Sequence, residues 1–173
     1  VAGEPIPNVG QTLKSMLRPA IIPEPGNCFV VADWSAIEGR VHPWLSNCHA
    51  GEKKLDVFRS GLDPYIVNAA ALFSVDYSAV TKEQRQVGKV QELSLGFLGG
   101  AGAFARFSPG QTDAFVARAV AAWRRVNPWA MAHGRALEGA YTRAMRNKGN
   151  EFSAGRVVYL FDGEHLWYKL PSG

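Results

Sequence analysis

Cysteine is scarce in this 173-residue sequence, with only Cys28 and Cys48 present. Two cysteines cannot build a disulfide framework, so a reducing, cytoplasmic setting is expected. No apolar run exceeds five residues, Cys28–Ala32 being one of them. That is far short of the roughly 20 residues that cross a bilayer, so no membrane partner is expected. The first residues, with Glu4, Pro5 and Pro7, lack the basic-then-apolar layout of a secretion leader. His42, His49, His133 and His165 share no metal-ligand spacing with the cysteines, which argues against zinc. A Gly-x-Ser-x-Gly elbow is missing as well. Gly96, Gly99, Gly100 and Gly102 lack the Gly-Lys-Ser/Thr ending of a phosphate loop and follow a helical pattern, so they read as a hinge or tight turn. Eighteen Gly and ten Pro without fixed spacing exclude collagen-like and low-complexity chains.

The composition that remains is that of a folded protein, 47% hydrophobic and 20% charged. A net charge of +4 hides an uneven distribution. Between Lys82 and Lys148 lie eleven Lys/Arg against four Asp/Glu, whereas the rest of the chain has eight against eleven. A polyanion-facing segment beside a carboxylate-bearing one fits this asymmetry, and so does a solvated helical surface.

Local signals give an order of elements. Pro5, Pro7, Pro19, Pro23 and Pro25 indicate an extended lead-in with a short helix near Leu13–Leu17. Cys28–Ala32 has the pattern of a buried strand. Ser35 with Glu38 predicts a capping box and a helix toward Leu45, and Thr81 with Gln84 predicts a second, with a helix to about Leu95. Asp63-Pro64 opens a helix through Phe73. Ser108-Pro109 and Asn127-Pro128 each place a cap residue before a first-turn proline, predicting helices over 109–126 and 128–147. Val157–Phe161 and His165–Leu170, on either side of Asp162-Gly163, predict a hairpin.

Two clusters could carry chemistry. Asp33 closes the apolar run, and a carboxylate at a buried strand end needs a compensator such as a divalent cation; capping the next helix is the competing role. Arg85, Lys89, Leu93 and Phe97 recur every four residues, one ridge of a helix with steps of about 6 Å. Two cations so spaced suit neighbouring phosphates, and the apolar end suits a sugar and base. Arg85 falls near the helix start, where the macrodipole disfavours a cation and a bound polyphosphate would reverse the penalty. An amphipathic helix with a basic edge has the same pattern.

Together the clusters resemble family A DNA polymerases, specifically their phage branch. VVADWSAIEGRVHPWLS (30–46) is similar to that family's motif A, and EQRQVGKVQELSLGFLGG (83–100) to its motif B. DVFRSGLDPYIVNAAALF between them resembles the early fingers helices, and the terminal LPSG resembles a palm segment preceding the third motif. The resemblance implies that Asp33 binds two catalytic Mg2+ ions, with the Trp34 carbonyl oxygen helping to hold one. Arg85 and Lys89 would grip the triphosphate of a deoxynucleotide (dNTP), and Lys89 would protonate the leaving pyrophosphate. Glu38 would act as a steric gate against the sugar 2′ position, with Leu93 and Phe97 beside the nascent base pair. Tyr65 would donate one hydrogen bond to phosphate in place of the family's His. The implied reaction is attack of a primer 3′ oxygen on the α-phosphate, with DNA primer-template as partner, in a bacterial host cell.

Departures are visible too. Trp34 replaces Tyr, Ala36 replaces Gln, and Phe97 replaces the Tyr whose phenol would hold Glu38. The family's third motif, with the second essential carboxylate, is expected after LPSG, so this chain alone is expected not to polymerise DNA. The expected fold is α+β and mostly helical: helical fingers (51–150) inserted in a partial β palm (1–50 and a hairpin at 151–173). The site would be a cleft between Asp33 and the Arg85–Lys89 edge. Two rival readings are a non-catalytic, basic nucleic-acid-binding helical module, and a purely structural domain whose Arg85 and Lys89 pair with acids such as Glu92.

Overall fold

The structure, a computed structural model, describes residues 8–173. Pro5 and Pro7 of the expected lead-in lie outside the described residues. The chain falls into two units, Val1–Ser35 and Ala36–Gly173.

In the first unit, α1 (Val9–Leu17) forms around the expected short helix, its N-terminus capped by the Asn8 side chain, which accepts from Gly10 N at 3.2 Å. The expected strand at Cys28–Ala32 is not there. The segment is irregular and exposed, Val30 at 90% and Val31 at 89%. A strand exists only where a neighbour satisfies its backbone N–H and C=O groups, and the single sheet among the described residues pairs only with itself. Asp33 and Trp34 are therefore exposed on irregular backbone rather than at the end of a buried strand.

The second unit is helical with a small sheet. Its helices are α2 (Ile37–Ser46), α3 (His49–Arg59), α4 (Pro64–Phe73), a 3-10 turn at Tyr77–Ala79, α5 (Lys82–Leu95), α6 (Ala101–Phe107), α7 (Asp113–Val126) and α8 (Pro128–Arg146). Strands β1 (Glu151–Ala154), β2 (Val157–Phe161) and β3 (Leu166–Lys169) follow in antiparallel order β1-β2-β3. Cap chemistry sets several boundaries. Asp63 Oδ1 accepts from Tyr65 N at 2.8 Å, and both bonds of the Thr81–Gln84 capping box are made. The box expected from Ser35 and Glu38 is not what caps α2. That helix starts at Ile37, with Ala36 at its N-cap in the left-handed region (φ 48°) and no side-chain cap bond.

Two expectations shift in the second half. Ser108-Pro109 ends a helix instead of starting one: α6 forms despite Gly100 and Gly102, Ser108 is its C-cap, and α7 begins at Asp113 behind Thr112. The hairpin loop spans Asp162–His165, with Asp162 Oδ1 accepting from Glu164 N and His165 N at 2.8 and 2.7 Å. An additional strand, β1, pairs with β2 and packs on α8.

The core joins α4, α5, α6, α7 and α8 through Leu72, Val90, Leu95, Phe104, Val116, Val120, Trp123 and Trp129. Helices α4 and α5 pack closest, with Gly88 against the backbone of Tyr65, where an added Cβ would overlap the Tyr65 carbonyl oxygen. In the turn between β1 and β2, Arg156 N donates to Leu45 O at 2.8 Å and Arg156 Nε to Trp44 O at 3.1 Å. These bonds satisfy carbonyls at the end of α2.

In an exposed helix, Gly→Ala gains about 1 kcal/mol. At Gly88 the sign reverses: Gly88→Ala is expected to destabilise by about 2 kcal/mol or more, because two backbones must separate, and urea unfolding measures it.

Candidate nucleotide-binding site

Helix α5 carries Arg85, Lys89 and Leu93 of the expected ridge on one side and a buried face of Gly88, Gln91, Glu92 and Leu95 on the other. It ends at Leu95, so Phe97 lies in the turn beyond it and not on the helical ridge. Glu92 is a charged residue at a core position, its side chain 7% exposed. Lys54 Nζ from α3 lies 2.9 Å from its Oε1 and 3.0 Å from its Oε2. Asn68 Nδ2 from α4 donates to Oε2 at 2.7 Å and Trp123 Nε1 from α7 at 3.1 Å. A buried carboxylate is tolerated only with a counter-charge and donors of this kind. Glu92, the acid that the rival structural reading paired with Arg85 or Lys89, is thus taken by Lys54.

Above this network lies a cavity of about 70 Å³, room for a few water molecules, lined by residues of α2, α4, α5 and α8. Four of the expected nucleotide-binding residues meet there: Glu38, Tyr65, Leu93 and Phe97. Phe97 is 68% exposed and stacks on His42, centroids 5.8 Å apart. His42 meets Trp129 edge-on at 5.0 Å and lies 5.5 Å from His133. Neither histidine, nor Trp129 or Glu92, was among the expected site residues, although His133 shares a helical face with Trp129 and Ala130, and Glu92 shares one with Gly88 and Leu95. Burial pushes both imidazoles below their usual 6.5; His42 adds to the effect at His133, while the Gly96 backbone opposes it at His42. The Tyr65 phenol is raised, chiefly by burial and then by Glu92, Asp63 and Glu38, with Arg85 opposing.

Arg85 borders this group, its guanidinium 5.2 Å from the centre of the Tyr65 ring and its Nε bonded to Asp63 Oδ2 at 2.7 Å. Lys89, half-buried one turn on, makes no hydrogen bond or ion pair among the described residues. Asp33 and Trp34 belong to the other unit. No group of three or more His, Cys, Asp and Glu suited to a metal occurs among the described residues. No helix among them is long and apolar enough to cross a membrane.

No protein-family model matches the chain. It is 35% identical over 167 residues to a DNA polymerase of Bacillus phage SP02, covering 93% of this chain and 25% of that protein. It is 40% identical over 88 residues to DNA polymerase I of Chloroflexus aurantiacus, and 32% identical over 80 residues to DNA polymerase I of Caldicellulosiruptor bescii. These cover 51% and 46% of this chain and 9% of each relative. The chain belongs to the family A DNA polymerases. It spans about a quarter of the phage relative's length and about a tenth of the bacterial ones. The buried network around Glu92 fixes the helix that carries Arg85, Lys89 and Leu93.

Two outcomes test this geometry. Lys54→Met leaves a buried carboxylate without its cation and is expected to cost about 3 kcal/mol in urea unfolding. For the histidines, folding depresses the pKa, so their contribution is full above 6.5 and is lost as pH falls. The melting temperature is expected to drop between about pH 7.5 and 5.5, and less steeply after His42→Gln with His133→Gln.

Proposed function

We propose that this chain forms the deoxynucleotide-binding part of a DNA polymerase whose intact form extends a DNA primer on a template. The observation that carries this reading is the meeting of Glu38 from α2 with Leu93 of α5 and Phe97 of the turn that follows it at one cavity, next to the Arg85–Lys89 ridge. Cations about 6 Å apart suit neighbouring phosphates. Lys89, without a hydrogen-bond or ion-pair partner among the described residues, is the group for the phosphates and for protonating the departing pyrophosphate. Tyr65, whose phenol stays protonated, adds a single hydrogen-bond donor. Leu93 and Phe97, both exposed, offer apolar surface beside a base pair. Glu38 lines a cavity with room for a few waters only, which supports a role in excluding a ribose 2′-hydroxyl.

Asp33 supplies one carboxylate for a divalent cation, with the Trp34 carbonyl oxygen beside it in sequence. A single carboxylate is fewer than a two-ion site needs, so phosphoryl transfer is assigned to the polymerase as a whole. The chain by itself is expected not to extend a primer in the presence of Mg2+ and all four dNTPs.

Arg85→Gln and Lys89→Gln are each expected to weaken binding of a deoxynucleoside triphosphate by about tenfold in a fluorescence titration. Parent-like affinity in both variants would remove the site assignment. Glu38→Ala is expected to narrow the preference for dATP over ATP in the same titration. An unchanged preference would leave Glu38 without a role in sugar choice.

A further inference from the structure

Asp63 caps α4 in sequence terms, but its second carboxylate oxygen is used elsewhere. Oδ1 accepts from Tyr65 N at 2.8 Å, Oδ2 accepts from Arg85 Nε at 2.7 Å, and the Asp63 backbone N–H donates to the Tyr77 hydroxyl at 2.9 Å. Asp63 is therefore held at its backbone N–H by Tyr77 and at one carboxylate oxygen by Tyr65 N before it meets the arginine. Arg85, for its part, is held on its edge by Asp63 and on its face by the Tyr65 ring, centroid 5.2 Å away. A guanidinium has five N–H donors in one plane, and only Nε is engaged here. The four Nη donors make no hydrogen bond among the described residues.

We propose that Asp63 is the positioning residue of the triphosphate site: it binds the inner edge of Arg85 so that the outer fork is presented, in a fixed plane, to the phosphates. The proposal rests on the reading of Arg85 given under Proposed function. It also accounts for the position of Arg85 as the fourth residue of α5, where the macrodipole disfavours a cation and the Asp63 carboxylate offsets that penalty. An arginine presented in one plane loses less freedom on binding than one that must be ordered by the ligand. The alternative physical effect has the opposite sign. If the carboxylate mainly cancelled the cation's charge, removing it would tighten anion binding.

The test is titration of the chain with dATP and with dAMP, in Mg2+, for the parent, Asp63→Asn, Arg85→Gln and the double variant. Asn keeps the helix cap but has one accepting oxygen, so it cannot serve both Tyr65 N and Arg85 Nε. Asp63→Ser is a second cap-preserving variant should Asp63→Asn fold poorly by thermal melting. Asp63→Asn is expected to weaken dATP binding about fivefold, to leave dAMP binding at the parent value, and to add nothing in the Arg85→Gln background. Unchanged or tighter dATP binding overturns the proposal. So does equal weakening of dATP and dAMP, which marks a merely structural role. Failure of the underlying reading looks different: there, Arg85→Gln itself leaves dATP affinity unaltered.

Discussion

The carboxylate of Glu92 is the point on which the second unit turns. A lone ionised group in the interior is costly, and three elements converge to relieve it: an ammonium from α3, an amide from α4 and an indole N–H from α7. Asn127, at the junction of α7 and α8, extends the chain of bonds by donating to Asn68 Oδ1 at 3.3 Å. Apolar contacts between helices tolerate small rotations, whereas hydrogen bonds to one carboxylate do not. Glu92 therefore fixes the rotation of α5 about its own axis, and with it the direction of the Arg85–Lys89–Leu93 ridge. The ionic interior is a source of registry more than of net stability.

Much of the helical layout was legible because it rests on local chemistry. The Asp63-Pro64 start, the Thr81–Gln84 box and the Asn127-Pro128 start are decided within four residues, and α4, α5 and α8 begin where those signals stand. What escaped was decided by distant partners. The apolar Cys28–Ala32 run has the composition of a strand without a neighbour to pair with among the described residues. Strand β1, Glu-Phe-Ser-Ala, has little strand character of its own and exists because β2 and α8 receive it. Helix α6 forms through glycines that local rules treat as breaks, since Phe104 is buried completely in the core.

The site was half legible for the same reason. A four-residue spacing announces a helical ridge, so Arg85, Lys89, Leu93 and Phe97 group from the sequence alone. Their company could not. Which acid meets which base depends on helix packing: Glu92 lies a turn from Lys89 in sequence yet pairs with Lys54, and Asp63, readable only as a cap, turns its other oxygen to Arg85. The aromatic wall of His42, Trp129 and His133 joins α2 to α8 across more than eighty residues of chain, a distance over which no sequence period reports.

The turn between β1 and β2 deserves a mechanical reading. Gly155, at φ 61°, lets the backbone come against the Leu45 and Ser46 carbonyls, and Arg156 both bonds the end of α2 and stacks on Trp44 at 4.7 Å. Glu38 stands at the opposite end of that ten-residue helix. Sheet and helix are thus joined as the arm and head of a lever roughly 15 Å long. The sheet anchors one end of the helix whose other end brings Glu38 to the cavity.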